Sequence, residues 1–172
     1  MNIRHFLSAA IIPLIVVMTT PPAAAQAGEW FVGGSLGSSD DDMLDQTASS
    51  FKAFGGYQFA KNLGVEIALV DLGEFDSLGL PNSLEQWGLA YGIVGILPIG
   101  DRGAVFGKVG FFDWTVDFLS RTVDEGTDPT FGVGGEYTSD NNWGVRVELE
   151  RFTDVSGGDV DLFSVGVVYR FR

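Results

Sequence analysis

The sequence predicts an all-β fold, an eight-stranded antiparallel up-and-down transmembrane β-barrel. Three observations predict it. Period-two alternation of apolar and polar residues recurs in eight blocks, each about the 9 to 11 residues that a tilted strand needs to cross a bilayer. The links between blocks alternate in length, tight after the even blocks and longer after the odd ones. Aromatic residues collect at the block ends that would share one rim.

The chain is preceded by a segment that does not belong to this pattern. Residues 1–27, MNIRHFLSAAIIPLIVVMTTPPAAAQA, begin with Arg4 and His5 and run through an apolar core from Ala9 to Val17. They finish in small residues with two A-x-A sites, Ala23-Ala24-Ala25 and Ala25-Gln26-Ala27. This is the make-up of a secretory signal, with cleavage expected before Gly28 and Gln26 as the alternative. The apolar stretch, broken by Pro13, is too short to be kept as a membrane anchor. The barrel domain is therefore placed at 28–172.

Losing Arg4 leaves 9 basic and 23 acidic groups, a net charge of −14. That balance argues against nucleic acid as a partner. With no cysteine in the chain, neither a disulfide framework nor an acylated cysteine anchor is available. The only histidine, His5, leaves with the signal.

The eight blocks follow in order, each identified by the apolar residues at alternate positions. Glu29 to Gly37 carries Trp30, Val32 and Leu36; Ser50 to Phe59 carries Phe51, Ala53, Tyr57 and Phe59. Leu63 to Asp71 carries Val65, Ile67 and Leu69. Glu85 to Pro98 carries Trp87, Leu89, Tyr91, Ile93 and Leu97, and its four interruptions at Gly88, Gly92, Gly95 and Pro98 disfavour a helix. Ala104 to Asp117 carries Val105, Val109 and Phe111, and Asp128 to Thr138 carries Phe131, Val133 and Tyr137. Trp143 to Thr153 carries Trp143, Val145, Val147 and Leu149, and Asp161 to Phe171 carries Phe163, Val165, Val167, Tyr169 and Phe171.

The opposite face mixes glycines with Ser35, Lys52, Gln58, Glu66, Lys108, Glu136, Arg146, Glu148, Glu150, Ser164 and Arg170. A soluble sandwich would bury the apolar face and wet this one. Two features favour lipid instead. AKN, IGDRG and SDNN are tight links, whereas SSDDDMLDQTASS and its odd-numbered counterparts are long, which is the asymmetry of membrane barrels. If the first strand rises from the tight-turn rim, Trp30, Tyr57, Phe59, Tyr137, Trp143, Tyr169 and Phe171 all lie there, as one girdle at headgroup level.

AFGGYQ at 53–58, VEIA at 65–68, the Pro98 turn, VGGEY at 133–137, VRVELE at 145–150 and the terminal SVGVVYRF together cover most of the mature chain. In this order they resemble the transmembrane barrel of the outer-membrane protein A family. The resemblance implies an eight-stranded barrel in the outer membrane of a Gram-negative bacterium, inserted by the barrel assembly machinery after escort by periplasmic chaperones. It also implies that Tyr169 and Phe171 form the assembly signal of the last strand, with Arg172 departing from the pattern by following the aromatic. Larger family members carry a peptidoglycan-binding domain after the barrel, and that activity is not expected to carry over here.

An eight-stranded barrel is narrow enough for side chains to fill. The inward charges come out at four of each sign: Lys52, Lys108, Arg146 and Arg170 against Glu66, Glu136, Glu148 and Glu150. By the resemblance, Glu66, Lys108, Glu136 and Arg146 match the family's interior ionic cluster, to which Glu148 is added. Arg146 is expected to bridge Glu66 and Glu136 while Lys108 pairs with Glu148. A family lysine that competes for the arginine's partner corresponds to Val94 here, which argues against a two-state ionic gate.

Without histidine or cysteine in the mature chain, Ser-His-Asp catalysis and soft-metal sites are excluded, so no enzyme, cofactor or metal site is expected. Glu148 and Glu150 sit two apart on one strand, with little access for a substrate. The outer links are acidic: Asp40, Asp41, Asp42 and Asp45 in the first; Glu74 and Asp76 in the second; Asp124, Glu125 and Asp128 in the third; Asp154, Asp159 and Asp161 in the fourth. The expected role is a monomeric structural or surface barrel, in contact with outer-membrane lipid and lipopolysaccharide and with an ionically plugged lumen. The alternatives are a small porin-like channel and an adhesin or ligand binder acting through the acidic loops.

Overall fold

The computed structural model describes residues 28–41, 46–76, 83–118 and 121–171. The signal segment, Asp42, Asp45 and Arg172 lie outside the described residues. Eight strands follow one another: β1 Glu29–Asp41, β2 Gln46–Ala60, β3 Leu63–Asp76, β4 Ser83–Ile99, β5 Gly103–Phe118, β6 Arg121–Thr138, β7 Trp143–Val155 and β8 Gly158–Phe171. Each pairs antiparallel with its sequence neighbours, and β8 returns to β1 in a ladder running from Trp30↔Phe171 to Asp41↔Val160. Hydrocarbon offers no water to an unpaired strand edge, so a sheet that presents an apolar outer face to lipid must close in this way.

The two faces separate as the alternation predicts. Trp30, Val32, Leu36, Ile67, Ile93, Val109, Val133, Val147 and Val167 are all exposed on the outer wall, and the eight predicted inward charges all face the lumen. The aromatic girdle flanks the closing seam, where Trp30 and Phe171 are register partners. Trp30 packs tilted against Tyr57 at 4.7 Å, Trp143 against Tyr169 at 5.1 Å, and Tyr169 meets Phe171 edge-on at 5.0 Å.

Strand lengths depart from the prediction. The strands run 13 to 18 residues, and nearly all the extra residues lie at the rim opposite the girdle. The long acidic loops are therefore corrected to strand ends: Asp40 and Asp41 belong to β1, Glu74 and Asp76 to β3, Asp124, Glu125 and Asp128 to β6, Asp154 to β7, and Asp159 and Asp161 to β8. Polar residues above the bilayer leave no alternating signal, yet their backbones gain by continuing the ladder across each outer hairpin, as from Ser38↔Ser49 to Asp41↔Gln46. Local side-chain pairs support the continuation: Arg151 grips Asp161 across β7 and β8 through Nε at 2.6 Å and a second nitrogen at 2.5 Å.

The girdle-side turns stay tight. Asn62 donates to the Ile96 carbonyl at 2.7 Å and returns its own carbonyl to the Ile96 N–H at 2.8 Å. Arg102 reaches Asp140 of the neighbouring turn at 2.5 Å, and Asn142 takes a left-handed φ of 69° where the chain reverses into β7.

Inward glycines make room for inward aromatics. A Cβ on Gly134 would lie 2.3 Å from the Phe106 ring and 2.5 Å from the Val147 carbonyl, and one on Gly33 would lie 2.4 Å from the Phe54 ring. Outward Gly135 differs, because its nearest neighbour would be the Ala104 carbonyl at 3.8 Å. Gly134→Ala is therefore expected to lower stability by about 1–3 kcal/mol through overpacking, and Gly135→Ala to change it by less than about 0.5 kcal/mol. Urea midpoints of the two variants in detergent check the contrast.

Candidate functional site

Strand parity delivers the ionic side chains. Glu66 follows outward Val65 on β3, Lys108 lies between outward Gly107 and Val109 on β5, and Arg146, Glu148 and Glu150 alternate with outward valines and Leu149 on β7. Lys52 faces them from β2 and is almost wholly buried, at 1% exposure.

At the centre of the barrel three cations meet three carboxylates. Lys52 bonds both Glu148 and Glu150. Lys108 lies 3.0 Å from Glu66, 2.6 Å from Glu148 and 2.5 Å from Glu150. Arg146 crosses the lumen to bond Glu66 at 2.7 Å, and its Nε stands 3.8 Å from Glu148. The Arg146 guanidinium carbon lies 4.6 Å from the Phe54 ring centre and 4.0 Å from that of Phe106, so the cation rests against two rings while Nη1 bonds Glu66. The cluster is electrically neutral, as a water-poor interior demands.

Nearer the girdle lies a second, smaller group. Arg170 donates through Nε to Glu136 at 2.7 Å and through Nη1 to the Gln58 side-chain oxygen at 3.3 Å, and Nη1 lies 3.8 Å from Glu29. This corrects one expected pairing. Arg146 does not bridge Glu66 and Glu136: its second carboxylate is Glu148, and Glu136 is held by Arg170. Glu136 and Arg146 are opposite one another in the β6–β7 ladder, but Arg146 is drawn across the lumen to Glu66 and between the two rings. The Lys108–Glu148 pair is present, and Glu66, Lys108, Arg146 and Glu148 share one cluster. Lys52 and Glu150, counted as inward charges but left out of the expected cluster, belong at its centre.

Val94 is buried directly opposite Lys108 in the β4–β5 ladder. No cation at that position competes for Glu66. Glu66→Leu would leave three cations for two carboxylates, although Lys108 and Arg146 both keep Glu148 within reach. It is expected to cost about 3 kcal/mol, the low end for breaking a buried pair. An unfolding midpoint in detergent equal to that of the unaltered chain would show that the pairing contributes nothing.

The far third of the lumen is apolar, which the sequence reading missed. Val70 and Leu72 from β3, Phe112 and Val116 from β5, Phe152 from β7 and Leu162 from β8 are buried together, with Phe112 and Phe152 rings 4.5 Å apart. Trp114 joins them and donates its indole N–H to Asp128 at 2.8 Å. Parity held the signal: these residues occupy the same inward positions as the charges, but an inner face read for its polar members hides them. Two unlike seals thus lie in series, an ionic one at mid-depth and a hydrophobic one above it.

Charge is distributed unevenly about this lumen. Segments 38–50, 70–86, 112–130 and 151–162, beyond the apolar band, hold sixteen acids and two bases, while the rest of residues 28–172 holds seven of each. Among the described residues no group of three or more histidines, cysteines or carboxylates is placed to hold a metal ion.

Comparison with known proteins places these features in context. A family model described as the outer membrane protein beta-barrel domain matches residues 10–171. Outer membrane protein A of Yersinia pseudotuberculosis is 28% identical over 83% of this chain and 48% of its own length, so the chain spans about half of that relative. Among solved structures, Neisserial surface protein A superposes with a TM-score of 0.62 at 11% identity, over 87% of this chain and 100% of that one. Ail, the attachment invasion locus protein of Yersinia pestis, solved with the heparin analogue sucrose octasulfate, superposes with a TM-score of 0.55 at 17% identity, over 85% of this chain and 100% of that one. At these identities the two structures speak for the fold alone.

Proposed function

The chain belongs to the outer membrane protein β-barrel family of Gram-negative bacteria, and from that premise we propose that it is a structural surface barrel of the outer membrane whose lumen does not conduct. The observation that carries this reading is the pair of seals, the neutral cluster around Lys52 and Lys108 and the apolar layer around Phe112 and Phe152. Planar-bilayer recording tests it. The refolded protein is expected to give no steady conductance above the bilayer baseline. A large and sustained conductance, unchanged in Arg146→Ala, would mean that the lumen is open and the reading fails.

In this reading the girdle rim faces the periplasm and the long hairpins face outward. Residues 1–27 export the chain, periplasmic chaperones escort it, and the assembly machinery engages Tyr169 and Phe171 of the last strand. The mature barrel then stands as a monomer among phospholipid and lipopolysaccharide. The acidic outer hairpins favour a second, compatible role in recognition: sixteen acids against two bases suit a cationic partner. They oppose a sulfated polyanion of the kind bound to Ail.

A further inference from the structure

The outer wall carries a furrow of about 1060 Å³ across β1 to β4, within the hydrocarbon band. Its floor is Gly55, in a lateral row that reads Val32, Gly55, Ile67, Tyr91 from strand to strand. The gap is not forced by packing. A Cβ on Gly55 would meet the Phe31 carbonyl at 3.4 Å and a Val32 methyl at 3.6 Å, ordinary contacts, whereas one on its inward neighbour Gly56 would strike the Phe31 ring at 2.3 Å. Glycine inside a strand sacrifices about 0.5–1 kcal/mol relative to alanine. Outward Gly34, Gly95, Gly107 and Gly135 are as open, with the nearest atom to a Cβ at 3.7–3.8 Å, but of these glycines Gly55 is the one that lines the furrow.

The surroundings specify an occupant. The walls are hydrocarbon and aromatic, so the part inside the furrow is hydrocarbon. At its girdle end stand Trp30 and Tyr57, their ring centres 4.7 Å apart, bearing an indole N–H and a phenol hydroxyl at headgroup depth. Lys61 lies in the turn that joins β2 to β3, two strands that both line the furrow, and adds positive charge at the girdle rim. The opposite rim is crowded with acids and repels phosphate. We infer that the furrow binds an anionic phospholipid of the leaflet at the girdle side, one acyl chain lying over Gly55 and the phosphate at Lys61, Trp30 and Tyr57.

Native mass spectrometry of the refolded barrel tests this, with dipalmitoyl phosphatidylglycerol and dipalmitoyl phosphatidylcholine supplied together. The unaltered chain is expected to retain one phosphatidylglycerol per barrel in preference to phosphatidylcholine. Gly55→Leu, which fills the furrow, should abolish most retention of both lipids. Lys61→Gln should keep phosphatidylcholine but lower the preference for phosphatidylglycerol about fivefold, as expected for one lysine at a membrane surface. If Gly55→Leu does not fold, Ile67→Trp fills the furrow from its wall and should give the same loss. Retention unchanged in a folded furrow-filling variant would overturn the inference. So would a two-barrel species in place of the lipid adduct that disappears in that variant, because the occupant would then be a second copy of the chain.

Discussion

Lys52→Met is expected to lower the unfolding free energy of the refolded barrel by about 3–5 kcal/mol, as when one partner is removed from a buried ion pair. Lys52 is shared by Glu148 and Glu150. Its loss leaves Lys108 and Arg146 to neutralise three carboxylates with almost no access to water. Urea unfolding followed by tryptophan fluorescence measures the loss. Restoring the balance should restore stability: in Lys52→Met/Glu150→Leu, two cations face two carboxylates, and most of the deficit is expected to vanish because a balanced buried set can be replaced by apolar groups at little cost. A single variant as stable as the unaltered chain, or a double variant no better than the single, would show that charge balance does not govern the interior.

Phe112→Ala should cost a similar amount, about 3–5 kcal/mol, for a different reason. The Phe112 ring is fully buried and packs at 4.5 Å against Phe152, so truncation opens a void that the closed sheet cannot collapse to fill. The functional readout separates the two seals. Phe112→Ala removes the middle of the apolar layer but leaves the ionic cluster whole, so the variant is expected to be much less stable and still non-conducting. Steady conductance from it would mean that the apolar layer alone closes the barrel.

The lipid-facing surface was legible in the sequence because hydrocarbon tolerates no exceptions. Val145, Val147 and Leu149, or Val165, Val167 and Tyr169, alternate without a polar intrusion, and any such run sets strand, face and register together. The strand ends beyond the bilayer were not legible. There both faces of Asp124 to Asp128 meet water or one another, so nothing in their side chains announces the ladder. Which charge meets which across the lumen was only partly legible. The sequence shows that Arg146 points inward, but its choice of Glu66 and Glu148 over the adjacent Glu136 depends on the tilt of the sheet and on the Phe54 and Phe106 rings that receive it. The apolar layer could have been found by asking of each inward position what it is, rather than which inward positions are charged.

The lopsided charge has a consequence for how the molecule comes to rest. A carboxylate drawn to the middle of a bilayer costs about 2.5–3.5 kcal/mol even by the mildest scale. The first outer hairpin alone carries four, from Asp40 to Asp45, so its retreat would face a barrier on the order of 10 kcal/mol. The same cost opposes a tip's entry and its return, so once insertion is driven to completion it is the sum over all four outer hairpins, sixteen acids against two bases, that holds the cylinder's orientation.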